Sequence, residues 1–198
     1  MSRTAVCALL MVGAWAIGGH AGAAEAWRAV SLDGGVRIDV PAVVGEQYRS
    51  TAAQLASGEL MGFVVTADDD GTLSCLLNRY AYHRPPIASL GVAEMTTILT
   101  SDRRSGLCAA GTAVEVMLSK PATTREGYPA ADCVAVKTDP SDAKTPGQVA
   151  AVEGIAAPGG FYNLSCIVYA PTRKAALSAW TGRWGDEISH IEGSLRLP

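Results

Sequence analysis

Four widely spaced cysteines, Cys75, Cys108, Cys133 and Cys166, constrain this chain more than any other feature, because what they do depends on where the chain folds. The N-terminus bears on that compartment. Arg3 precedes an apolar stretch from Ala5 to Ile17, and small residues follow at Gly18, Gly19, Ala21, Gly22, Ala23 and Ala24. This is the order of a secretory signal peptide. Ala21-Gly22-Ala23 and Ala24-Glu25-Ala26 both fit a small-x-small cleavage rule, so the mature chain is expected to begin at Ala24 or, by slight preference, at Trp27. Residues 1–26 are then a leader and 27–198 a single exported domain. The apolar stretch falls short of the roughly 20 residues of a permanent span, so no stable membrane anchor is expected. Cys7 lies inside that stretch without a lipobox, which argues against a lipoprotein.

In an oxidising compartment, the even number of cysteines left after Cys7 is removed predicts two disulfides among Cys75, Cys108, Cys133 and Cys166. Three connectivities remain open. A bridge from Cys75 to Cys108, or from Cys133 to Cys166, would close about 33 residues and stabilise by roughly 3 to 4 kcal/mol on a chain-entropy argument. The spacing excludes a Cys-x-x-Cys redox pair and a tight zinc knuckle. The length suits one core. A net charge of −3, unchanged by removal of Arg3 and Glu25, provides no basic stripe for a nucleic acid.

Val36, Ile38 and Val40 alternate with Arg37 and Asp39 as in a strand wet on one face. Met61 to Thr66, a turn at Asp68-Asp69-Asp70-Gly71, and Thr72 to Tyr80 form a predicted hairpin in which Leu73, Cys75 and Leu77 point at the core. After Pro85-Pro86, Ser89 is placed to cap a helix running to about Arg103. Val114, Val116 and Leu118 predict a strand ended by Pro121, and Ala131, Cys133 and Ala135 line one face of the next. Asp139-Pro140 to Pro146-Gly147 reads as a turn-rich loop. Strands follow at Gln148 to Ile155 and Phe161 to Tyr169, with Tyr162, Leu164, Cys166 and Val168 on one face. Leu177, Trp180, Trp184, Ile188 and Ile191 then fall within about 80° on a helical wheel, with Thr172 as N-cap and Gly193 as stop. Hairpins dominate, so the fold class is α+β: a mainly antiparallel sheet flanked by a middle helix and a C-terminal amphipathic helix.

The opening strand at Trp27, Gly35-Val36-Arg37-Ile38-Asp39-Val40-Pro41, Gly127-Tyr128-Pro129-Ala130, Tyr162-Asn163-Leu164-Ser165-Cys166 and the closing Ile191-Glu192-Gly193-Ser194-Leu195 resemble the PsbP-like family. The resemblance covers most of residues 27–198 and rests on mostly structural positions. It implies an antiparallel sheet sandwiched by helices, in a non-catalytic accessory or assembly protein outside the cytoplasm. The metal and docking residues of the photosystem members have no counterpart here.

Candidate sites are few. Asp68-Asp69-Asp70-Gly71 lacks the spaced ligands and closing Glu of a calcium loop and reads as a solvated turn. Tyr80, Tyr82, His83 and Arg84 together offer two aromatics and a cation, a candidate binding surface for an anionic or aromatic partner. The bland alternative is a strand end before a rigid loop. His190 is expected on the solvated side of the last helix, opposite the tryptophans. Arg173 and Lys174 sit in the first turn of that helix, where the macrodipole disfavours cations; they read as an anion site shared with free backbone N–H groups or, more cheaply, as a frayed and solvated turn. Asn163-Leu164-Ser165 is a sequon buried in a predicted strand. Gly-x-Ser-x-Gly, His-Glu-x-x-His and phosphate-loop motifs are absent, so no catalytic residue, cofactor or metal site is assigned. The expectation is a periplasmic or secreted non-catalytic module with a protein or small-molecule partner. The alternative is a periplasmic hydrolase or other enzyme of an unrecognised class.

Overall fold

The structure, a computed structural model, describes residues 27–42, 46–49, 58–67, 71–80, 91, 93–94, 114–137, 147–158 and 160–198. Among the described residues, nine strands run in chain order: β1 (Trp27–Ser31), β2 (Arg37–Pro41), β3 (Glu46–Arg49), β4 (Glu59–Ala67), β5 (Gly71–Tyr80), β6 (Val114–Thr123), β7 (Pro129–Lys137), β8 (Gly147–Ala157) and β9 (Gly160–Ala170). β1 and β2 form an antiparallel hairpin of their own. The other seven strands make one sheet in the order β3-β4-β5-β9-β8-β7-β6, with every pairing antiparallel. The last helix follows as α1 (Arg173–Ala179), a π-helical turn over Trp180–Trp184, and α2 (Gly185–Ser194). This is the expected α+β class.

Side-chain parity explains the layering. Val36, Ile38 and Val40 of β2, Leu73, Cys75 and Leu77 of β5, and Tyr162, Leu164, Cys166 and Val168 of β9 all enter one core with Trp184, Ile188 and Ile191 of the helix. β8 is nearly all apolar and is buried on both faces, which suits a strand at the middle of a covered sheet. At its start β8 passes hard under the helix N-terminus. A Cβ on Gly147 would run into the backbone of Thr172 and Arg173, so only glycine fits there.

The helix starts as read, with the Thr172 hydroxyl accepting from the Ala175 N–H at 3.1 Å. It runs past Gly193 to Ser194, however, and stops where Leu195 turns extended. The stop comes from tertiary bonds. The Asp39 N–H of β2 donates to the Ser194 hydroxyl at 2.9 Å, and Arg37 and Arg196 exchange backbone hydrogen bonds at 3.0 and 2.8 Å. Pro121 does not end β6 either: it lies inside the strand opposite Ala131. β6 is the last strand in the sheet order, and a missing N–H costs nothing on an edge strand's outer side.

Of the expected middle helix, the structure describes Gly91, Ala93 and Glu94. The last two are helical, and the Glu94 carboxylate accepts from the Gly91 N–H at 2.6 Å, the reach-back of a capping box. The rest of that segment, the Asp68 to Asp70 turn, the 139–146 loop and the leader lie outside the described residues.

Cys75 and Cys166 are register partners on β5 and β9 and form a disulfide, with Cα atoms 4.1 Å apart. The pairing therefore differs from both of the short-loop bridges considered from spacing. The two strands are far apart in sequence and adjacent in space, and spacing along a chain cannot report that. Ser74-Cys75-Leu76 and Ser165-Cys166-Ile167, which look alike, lie across from one another as a result. Cys133 is also disulfide-bonded and is buried on the opposite face of the sheet, among Ala131, Val152, Ala156 and Phe161. Cys108 lies outside the described residues.

Candidate functional site

Two carboxylates interrupt mostly apolar strands. Glu153 interrupts Gly147–Ala157, and Asp132 interrupts the Ala130 to Val136 stretch of β7. Glu153 shares parity with Ala151 and Ile155, and Asp132 with Ala130 and Val134, so both side chains leave the sheet on the helix side. There they meet Glu192, one residue beyond buried Ile191 on α2. The three carboxylates line a cleft of about 340 Å³ between α2 and strands β6–β8, together with Thr123, Thr124, Arg125, Ser189 and Arg196.

Burial pushes the Glu153 carboxyl up to about 8, reinforced by the charges of Glu192, Asp132 and Glu126. Burial also raises Glu192 to about 7, with Asp132 adding to the effect and Lys120 opposing it. Asp132 is raised by burial as well, although Lys120, 3.5 Å from its carboxylate, works against the shift. The Glu153 Oε2 atom is out of reach of solvent and has no hydrogen-bond partner among the described residues. Such a group favours its protonated form. Of the nearby cations, Lys120 is engaged with Asp132 and Arg196 with Glu126 at 4.0 Å, and Arg125 lines the cleft. Chemically, the cleft can hold protons near neutral pH and hydrogen-bond a polar or cationic group. Among the described residues, no three His, Cys, Asp or Glu side chains are gathered as metal ligands.

A second, more open hollow lies on the outer side of α2 and is lined by Trp27, Arg183, Asp186, Glu187 and His190. His190 is exposed, as expected, but it is not simply solvated. Its ring stacks on Trp27 at 4.0 Å, and its Nε2 lies 3.3 Å from the Asp39 carboxylate. Helical parity placed His190 away from the tryptophans of its own helix and could not anticipate a tryptophan from β1.

The candidate surface at Tyr80, Tyr82, His83 and Arg84 is described only at Tyr80. That residue is exposed at the end of β5 and stacks on Phe161 at 6.2 Å. Tyr82, His83 and Arg84 lie outside the described residues. Arg173 does not wait for an anion: it donates to Glu115 of β6 at 2.6 Å. Asn163 lies within β9, as read. Asp132, Glu153 and Glu192 were missed from sequence, although a lone carboxylate inside an apolar strand is a signal that parity could have turned into a site.

No family model matches the chain, and no curated protein matches it. Among solved structures, it is similar to the Saccharomyces cerevisiae Ran-binding protein Mog1p, with 14% identity and a TM-score of 0.56 over 87% of this chain and 96% of that one. It is also similar to PA94, a Pseudomonas aeruginosa protein of unknown function, with 10% identity and a TM-score of 0.46 over 82% of this chain and 93% of that one. At such identity the likeness is one of fold, and the chain shares with Mog1p the α+β layer architecture expected from its PsbP-like resemblance.

Proposed function

We propose that this chain is an exported binding or assembly accessory module, acting in the periplasm or outside the cell, that takes a protein or small-molecule partner at the cleft between α2 and β6–β8. The observation that carries this reading is the cleft itself, a formed concavity where sheet and helix bring together carboxylates, two arginines and hydroxyls. Mog1p is a precedent for binding on this fold, without bearing on which partner is bound here. Export rests on the leader and the paired cysteines.

Full-length protein would be cross-linked in living cells and recovered from the periplasm. A discrete complex is expected, weakened about tenfold by Arg125→Glu and Arg196→Glu variants that retain the native circular dichroism, as for residues that anchor a partner. Recovery of free chain alone would count against the proposal.

One observation favours the second reading, a hydrolase or other enzyme. Glu153 and Glu192 hold protons near neutrality, as general acids do. Turnover of a substrate that Glu153→Gln abolishes would move the assignment to that class.

A further inference from the structure

We infer that Glu153 on β8 and Glu192 on α2 form a proton-operated latch: protonated, they let the C-terminal half of the last helix lie closed on the sheet, and deprotonated, they drive it off. The inference does not depend on any ligand in the cleft. It starts from placement, because the two carboxyls enter the same cleft from opposite layers and Asp132 of β7 enters beside them. Glu126, in the turn before β7, adds a further like charge on Glu153. On the cationic side stand Lys120 of β6, engaged by Asp132, Arg196, engaged by Glu126, and Arg125, which lines the cleft. Ser189, Thr123 and Thr124 are uncharged. Glu153 Oε2 is shut off from solvent and has no donor among the described residues, so a second negative charge from Glu192 disfavours the closed arrangement and is relieved by a proton or by opening.

Which layer yields follows from the bonding. β8 is laddered along its length to β7 and β9. α2 is held by its apolar face, Ile188 and Ile191 with Trp184 of the preceding turn, and by the bonds of Ser194 and Arg196 to β2. Opening is therefore a local event of α2 and the segment after it, of the kind that hydrogen exchange detects. Both carboxyls sit above their ordinary value, so closure is fully favoured at acidic pH and is lost as pH rises through about 7 to about 8.

The test is amide hydrogen exchange on the full chain, corrected for the intrinsic rate, between about pH 6 and about pH 9. Protection over residues 187–194 is expected to fall about tenfold or more while β8 and β9 stay unchanged, and Glu153→Gln and Glu192→Gln each to remove most of the fall. His190, stacked on Trp27 on the outer side of α2, is the control position on the same helix. A His190→Gln variant is expected to keep the whole fall. Flat protection in the unmodified chain overturns the latch without recourse to any variant, and so does a fall that survives both Gln substitutions or vanishes with His190→Gln.

Discussion

Gly182 and Gly185 lie three residues apart in the last helix and answer to different constraints. A Cβ on Gly182 would meet nothing, whereas one on Gly185 would stand 2.8 Å from the Trp180 carbonyl oxygen, which accepts the Gly185 N–H in the π turn. Gly182→Ala is thus expected to stabilise the chain by up to about 1 kcal/mol, through helix propensity and a stiffer unfolded state. Gly185→Ala should destabilise it by about 1 to 3 kcal/mol, because the added carbon strains packed backbone. Urea unfolding of the two variants checks both signs. From sequence the two glycines carry the same propensity cost, since the π turn that separates them is a property of the packed helix. The core-facing direction of Cys75 was legible from Leu73 and Leu77. The role of Glu153 was not, because strand parity says which face a side chain takes and not what the opposite layer brings to meet it.

At the scale of elements, strong periodicity was legible and tertiary determination was not. β2, β5, β9 and the tryptophan-bearing helix follow from apolar spacing, and the Thr172 cap from local chemistry. β3 was missed, being four residues long and lacking an apolar run. The true end of α2 was also missed, because it is set by Asp39 and Arg37 from a strand over 150 positions away. Trp184 is fully buried and is the largest side chain in the core. Trp184→Ala is therefore expected to cost about 3 to 5 kcal/mol and to release the helix from the sheet before the sheet itself yields. Calorimetry together with helix-band circular dichroism would detect this. A cost under about 1 kcal/mol would mean that the apolar stripe does not hold the helix.

For the whole molecule, the cleft and the disulfides set how stability responds to conditions. The native Glu153 and Glu192 carboxyls have raised values, so between about 4.5 and about 8 the native state holds more protons than the unfolded one. Their contribution is complete below that window and is lost as pH rises through it. The urea midpoint should accordingly fall from acidic toward mildly alkaline pH, and Glu153→Gln should flatten the fall. The Cys75–Cys166 bridge spans a sequence separation of 91 and joins two neighbouring strands of the sheet. Its loss by a Cys75→Ala, Cys166→Ala double substitution should cost about 2 to 5 kcal/mol. Compartment and covalent framework come together in one measurement, an intact mass and non-reducing peptide map of chain recovered from the periplasm. The expected result is a mature start at Ala24 or Trp27, a Cys75–Cys166 cross-link, and Cys133 joined to Cys108, the one cysteine left. Chain bearing Met1, recovered from the cytosol with those thiols free to alkylate before reduction, would contradict it.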